Sequence, residues 1–369
     1  MRTRVKSLPS RCAEETASAP QSMSKSSLMS SAERVRKSFP PCARAARQVG
    51  QLQNGSGTAV AAPVPKNVIC MCSPLTFGLS ISRFPPLYKR QTRQIPGGIF
   101  MDTRIAIAQI NASSDPQQNL RTAARMAAEA AQKQAHLLML PEYTMTYPDH
   151  RLPDGVPFPG GQPLDGPFVS GLRELAATHR LWITCGVIEQ TPDDPRPYNT
   201  TVVISDQGEL VASHRKCQLY DAFSYRESDH FRPGMSRFTP IQTPFGTLGL
   251  IVCYELRYPE LARLQAIEGA EFLLVTAAFV CGKQKAQQWH TLLAARAVEN
   301  GCFVLGCNHV KPKVFLGESS AYAPDGQTIM ECGDTPELMV VTCDRSQIGA
   351  VRESCPVLRQ RREDLYSLK

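Results

Sequence analysis

Three residues of this 369-residue chain stand where apolar runs end: Cys253 after "GTLGLIV", Glu142 after "HLLMLP" and Lys216 after "LVASHR". A thiol at the end of an apolar strand, followed by a segment with apolar positions at Leu256, Leu261, Leu264 and Ile267, lies at a strand-to-helix turn. There, unpaired N–H groups and the positive end of the helix dipole favour the thiolate, the reactive form of cysteine. A cysteine in such a place reads either as a small apolar filler or as a nucleophile. A carboxylate buried at Glu142 would have its pKa raised toward the range of a general base. Alone, Glu142 also reads as a solvated loop acid, and Lys216 as an exposed lysine.

These residues must be held by regular elements, and the chain between them supplies such elements. "RIAIAQI" alternates like a strand and "NLRTAARMAAEAAQKQA" is an Ala-rich helix. "HLLMLPEY" and "WITCGVIEQ" are strand runs, and "FVSGLRELAATHRL" carries apolar residues at helical spacing. A strand pair turns at Asp206-Gln207-Gly208. Then follow the strand "GTLGLIV", the helix "YPELARLQAIEGA", the strand "FLLVTAAF", the helix "AQQWHTLLAARAVENG", the strand "CFVLGCN" and a last hairpin turning at "APDGQ". Helices recurring between apolar strands predict an α/β fold with sheets covered by helices. Trp289 and His290, on the predicted helix, read as core packing.

The chain divides near residue 100. Residues 1–100 hold 15 of the 41 basic residues but only three of the 33 acidic ones, leaving 26 against 30 for the remainder, a net charge of −4. The overall charge of +8 therefore resides in a Ser-, Pro- and Arg-rich segment without hydrophobic periodicity, so a nucleic-acid reading built on net charge loses most of its support. That segment reads as a disordered extension, with the domain at 101–369. "GGIFM" suggests a misplaced start with Met101 as initiator, and the alternative is an organelle transit peptide. No uninterrupted apolar run of about 18 residues is present, so no membrane span is expected. Thirteen cysteines without a CxxC pair suggest reduced thiols and a cytoplasmic setting, and "CFVLGCNHV" reads as a buried strand rather than a metal site.

Taken in order, "LPEY", "HRKCQLYD", "RESDHFRPG" and "VCYELRYPELAR", with "WHTLLAARAVENG" and "CPVLRQRREDLY" beyond them, resemble the motifs of the nitrilase superfamily of carbon–nitrogen hydrolases. The resemblance implies a four-layer α-β-β-α sandwich and an enzyme needing no metal or organic cofactor. It implies that Glu142 is the general base, Cys253 the nucleophile and Glu227 the residue that orients Lys216 and Glu142. Lys216 and the backbone N–H of Tyr254 would stabilise the oxyanion.

True nitrilases typically carry tryptophan after the nucleophile. Tyr254 stands there instead, so the chain resembles the amidase branches that act on ω-amides or deaminated glutathione. The expected reaction is hydrolysis of a small carboxylate-bearing amide by water through an acyl-enzyme, with ammonia released. The alternative is N-carbamoyl hydrolysis, and behind it come a nitrilase or a silent family member. The loops "TMTYPDHRLPDGVPFPGG" and "VCGKQKAQQ" are expected to line the mouth. Tyr143, Tyr147, Arg257 and Lys283, with Lys285, are the candidate substrate contacts. The resemblance further implies a homodimer or larger assembly.

Overall fold

The computed structural model describes residues 102–365. The expectations for residues 1–100 and for an initiator at Met101 lie outside the described residues.

The first half runs β1 (Asp102–Gln109), α1 (Pro116–Gln132), β2 (Leu137–Met139), α2 (Pro167–His179), β3 (Trp182–Glu189), β4 (Tyr198–Ile204) and β5 (Leu210–Arg215). A short hairpin follows, β6 (Asp221–Ala222) and β7 (Tyr225–Arg226), and then a 3-10 turn at Glu227–Asp229. The second half runs β8 (Ile241–Thr243), β9 (Gly246–Val252), a 3-10 helix at Cys253–Arg257, α3 (Pro259–Ile267), β10 (Phe272–Ala277), α4 (Lys285–Asn300) and β11 (Phe303–Asn308). It closes with β12 (Val310–Lys311), β13 (Phe315–Leu316), β14 (Ser320–Tyr322), β15 (Thr328–Glu331), β16 (Glu337–Asp344) and α5 (Ser346–Ser354). Local chemistry sets the ends. Asp115 caps α1 by accepting from Gln117 N–H, and Pro116 occupies the first turn. Gly301 ends α4 in the left-handed region at φ 55°.

Two six-stranded sheets form, ordered β16-β1-β2-β3-β4-β5 and β15-β14-β11-β10-β9-β8. The alternation in β1 shows how they stack. Ile105 and Ile107 point one way and join Leu137, Phe272, Leu274 and Phe303 in a cluster between the sheets. Ala106 and Ala108 point the other way, toward Ala123, Ala127 and Leu172 of α1 and α2. The small alanines let the helices approach the sheet, and each fully buried isoleucine contributes about 1.5–3 kcal/mol of burial. On the far side, Trp289 and Leu293 of α4 pack with Val275 and Val304 of the second sheet. The layers are therefore helix, sheet, sheet, helix, an α-β-β-α sandwich. Trp289 belongs to that core, fully buried, with its indole N–H donated to Glu318 O at 2.8 Å.

Besides the short strands β6–β8, β12 and β13 and the helix α5, the sequence reading leaves out one long strand. β16 pairs antiparallel with all of β1, from Asp102 opposite Asp344 to Gln109 opposite Glu337. It forms the sheet edge, and its burial alternates irregularly, so "ELMVVTCD" carries too weak a period-2 signal to be recognised. Among the described residues, no helix is long and apolar enough to cross a membrane.

Candidate active site

The ends of β2, β5 and β9 meet at one end of the sandwich. Glu142 sits just past β2, in a turn whose next residue, Tyr143, is left-handed at φ 57°. That turn is pinned from several sides. Thr144 Oγ1 donates to Pro141 O at 2.7 Å, Gly186 N–H donates to the same carbonyl at 3.1 Å, and His309 Nε2 lies 2.5 Å from Glu142 O. Gly186 permits the crossing, because a Cβ there would lie 2.5 Å from Glu142 Cα and 2.7 Å from Pro141 O. Cys253 begins its 3-10 helix at φ 47°, a conformation few non-glycine residues adopt.

Glu142, Lys216 and Glu227 are each 2% exposed or less. Lys216 Nζ donates to Glu142 Oε1 at 2.9 Å and lies 2.9 Å from Glu227 Oε2. Burial alone would depress this ammonium, but the two carboxylates outweigh it and hold its pKa well above the ordinary lysine value. Two carboxylates thus face one lysine, and neutral donors supply the rest. Asn199 Nδ2 bridges Glu142 Oε1 at 2.7 Å and Glu227 Oε1 at 3.0 Å. Ala278 N–H reaches Glu142 Oε2 at 2.7 Å, and Tyr220 N–H reaches Glu227 Oε2 at 2.6 Å.

The expectation that the helix turn favours a thiolate does not hold. Burial pushes the Cys253 thiol well above its ordinary value and the charge of Glu142 adds to this, while Lys216 opposes it without prevailing. A short 3-10 turn does not offset this desolvation. The direction favours the thiol over the thiolate, so attack calls for a base beside the sulfur.

Cys253, Glu142 and Lys216 share the wall of a cavity of about 600 Å³, which Tyr143, Tyr147 and Lys285 also line. Both expected mouth loops contribute, through Tyr147 to Leu152 with Phe158 and through Val280, Cys281 and Lys285. Tyr143 serves chiefly the carboxylates, for its hydroxyl donates to Glu227 Oε1 at 2.8 Å. Lys283 is a correction. It is exposed and outside the cavity wall, whereas Lys285, two residues on at the start of α4, faces inward. Arg257 lies instead on a side chamber of about 40 Å³ that also has Tyr254 in its wall and shares Tyr220, Cys253 and Lys285 with the main cavity. Tyr254 is the second residue of the nucleophile helix, and N–H groups in a first turn have no intrahelical partner.

The sequence reading missed Asn199, Gly186 and His309. Only their partners, 57, 44 and 167 positions away, reveal them. It also missed a brace. Among the described residues, His214, Cys217 and Glu255 bring metal-ligating atom types within 4.8 Å of one another. Glu255 is already engaged, accepting Cys217 N–H at 2.7 Å and Val252 N–H at 2.9 Å, with His214 Nε2 at 3.0 Å. Burial pushes the Cys217 thiol up to about 12, so it stays protonated and donates to Ser236 O. The cluster ties the residue after Lys216 to the residue before Cys253, and its donors suit a brace better than an ion.

A family model described as carbon–nitrogen hydrolase matches residues 104–353. The chain is 32% identical to a deaminated glutathione amidase of Bos taurus over 280 residues, 71% of this chain and 83% of that protein. It is 33% identical to a deaminated glutathione amidase of Escherichia coli O157:H7, with 70% of this chain and 97% of that protein covered. Among solved structures it resembles the Caenorhabditis elegans NitFhit protein, with TM-score 0.65, 29% identity, and 72% of this chain and 66% of that one covered. It also resembles a variant of the nitrilase-superfamily amidase of Nesterenkonia sp. AN1 that shows covalent addition of the acetamide moiety of fluoroacetamide at the active-site cysteine. There the TM-score is 0.60 and the identity 30%, with 71% of this chain and 95% of that one covered.

Proposed function

The chain belongs to the carbon–nitrogen hydrolase family, and on that premise we propose that it hydrolyses a small, carboxylate-bearing linear amide through a covalent acyl-enzyme on Cys253, releasing ammonia. The observation that carries this reading is the convergence of Cys253, Glu142 and Lys216 on the wall of one cavity. Relatives that are deaminated glutathione amidases support amide hydrolysis, and a neighbour whose active-site cysteine takes covalent addition of the acetamide moiety of fluoroacetamide supports a reactive cysteine.

Glu142 takes the proton of the Cys253 thiol as the sulfur attacks the carbonyl carbon. The tetrahedral oxyanion is held by Lys216 Nζ and the Tyr254 N–H, donors fixed in place before the charge develops. Glu142 passes its proton to the nitrogen, the C–N bond breaks, and ammonia leaves a thioester behind. A water then gives a proton to Glu142 and attacks the thioester, and collapse expels the sulfur, which recovers the proton. Glu227 and Asn199 keep Lys216 and Glu142 in register throughout.

The test is mass spectrometry of the protein with a slowly hydrolysed amide, together with Cys253→Ala. An acyl adduct on the Cys253 peptide and loss of turnover in a folded variant are expected. An adduct on Cys217 or Cys281 would overturn the assignment, and faster release of ammonia from an N-carbamoyl compound or a nitrile would replace the substrate class.

A further inference from the structure

Beside the nucleophile, positive charge collects without an acidic partner. Lys285 is 8% exposed, yet among the described residues its ammonium makes no ion pair or side-chain hydrogen bond. Its nearest company is aromatic, the Phe223 ring at 4.0 Å and the Tyr220 and Phe279 rings at 5.8 Å. Arg257 lines the same side chamber and, among the described residues, has no ion pair either, its guanidinium donating to the neutral Gln288 Oε1 at 2.8 Å.

Lys285 is also the first residue of α4, a 16-residue helix with no acid in its first turn. Helix N-termini favour anions, so a lysine there adds to the positive field instead of relieving it. Burial pushes the Lys285 pKa down, and the charge of Arg257 pushes it further the same way. A desolvated, unpaired ammonium is costly, and such an arrangement is kept where a ligand completes it. Lys216 is not free for this task, since both of its carboxylates already hold it.

We infer that Lys285 and Arg257, at the N-terminal end of α4, form a subsite for the substrate's own carboxylate within one short chain length of the Cys253 thiol. This rests on the amidase reading above and deepens it. The small side chamber, walled by Arg257 and Lys285, can take a compact group such as a carboxylate, while the main cavity receives the rest of the molecule. The aromatic rings around Lys285 hold the ammonium in place by cation–π attraction until the anion arrives. Because this contact is made at a remote group, alike in ground and transition states, it acts on KM more than on kcat.

The experiment compares glutaramate with pentanamide, amides of equal chain length that differ in a terminal carboxylate against a methyl group. In the wild type, kcat/KM is expected to favour glutaramate by at least tenfold. In Lys285→Met the ratio of the two kcat/KM values should fall by roughly 10- to 100-fold, mostly through KM for glutaramate, and Lys285→Arg should recover part of it. Arg257→Gln should lower the same ratio. Circular dichroism and the yield of Cys253 acylation by pentanamide report whether each variant is folded and assembled. A wild type without preference for glutaramate, or a ratio unmoved in folded Lys285→Met, overturns the subsite. If pentanamide still acylates Cys253 in that case, the amidase reading stands alone. If neither amide acylates Cys253, both fall.

Discussion

Asn199 offers the sharpest test of how the site is held together. Its amide donates to both glutamates at 2.7 and 3.0 Å, and among the described residues its own Oδ1 has no hydrogen-bond partner, so its one evident task is to supply two donors to carboxylate oxygens. Asn199→Ala removes both. Hydrogen bonds to charged groups are worth about 1.5–3 kcal/mol each, but a water admitted to the vacated space recovers part of this. A net loss of about 2–4 kcal/mol, shared between stability and the placement of Glu142, follows. If half falls on the transition state, kcat/KM drops by roughly 5- to 30-fold. Comparing rate with stability separates positioning from mere destabilisation, since a loss of stability alone leaves kcat/KM of the folded protein unchanged. Asn199→Asp is more severe, because it adds a third carboxylate to a buried pair. Steady-state rates by ammonia release, with thermal unfolding alongside, supply the data. Rates within twofold of wild type for Asn199→Ala, or an active Asn199→Asp, would refute the reasoning.

Three further outcomes are expected. Gly186→Ala places a Cβ 2.5 Å from Glu142 Cα, so the base must shift, and activity should fall at least tenfold in a protein whose circular dichroism is retained; normal kcat would show that the crossing tolerates the atom. The buried thiols Cys302, Cys332 and Cys343 are pushed up to about 12, so they stay protonated in the folded state while unfolded cysteines ionise from about pH 8.5. This contribution to stability is complete below that pH and is lost as pH rises toward 12, at roughly 1.4 kcal/mol per thiol per pH unit at most, and a urea midpoint unchanged between pH 8 and pH 10.5 would contradict it. The chain is also expected to form a homodimer or larger assembly, since α3 exposes Ile267 beside a groove of about 620 Å³ that also has Pro356 and Val357 in its wall; light scattering giving a monomer at micromolar concentration would exclude this.

Much of this molecule was legible from local pattern. The alternation of "RIAIAQI" and the helical spacing of "FVSGLRELAATHRL" are properties of consecutive side chains, so strands and helices could be read without knowing their neighbours. For the same reason Glu142, Lys216 and Cys253 stood out, each being a polar residue that breaks an apolar run. Their company was not legible. Asn199 looks like any strand asparagine until β4 sets it against a glutamate 57 positions earlier, and Gly186 like any strand glycine until the backbone of Glu142 crosses it. Lys283 and Lys285 are equivalent as sequence, yet the start of α4 turns one into solvent and the other into the cavity. The state of the nucleophile was likewise decided by the tertiary structure alone. A strand-to-helix turn argues for a thiolate, but desolvation depends on everything packed around the sulfur, and burial with Glu142 nearby pushes the Cys253 thiol up instead.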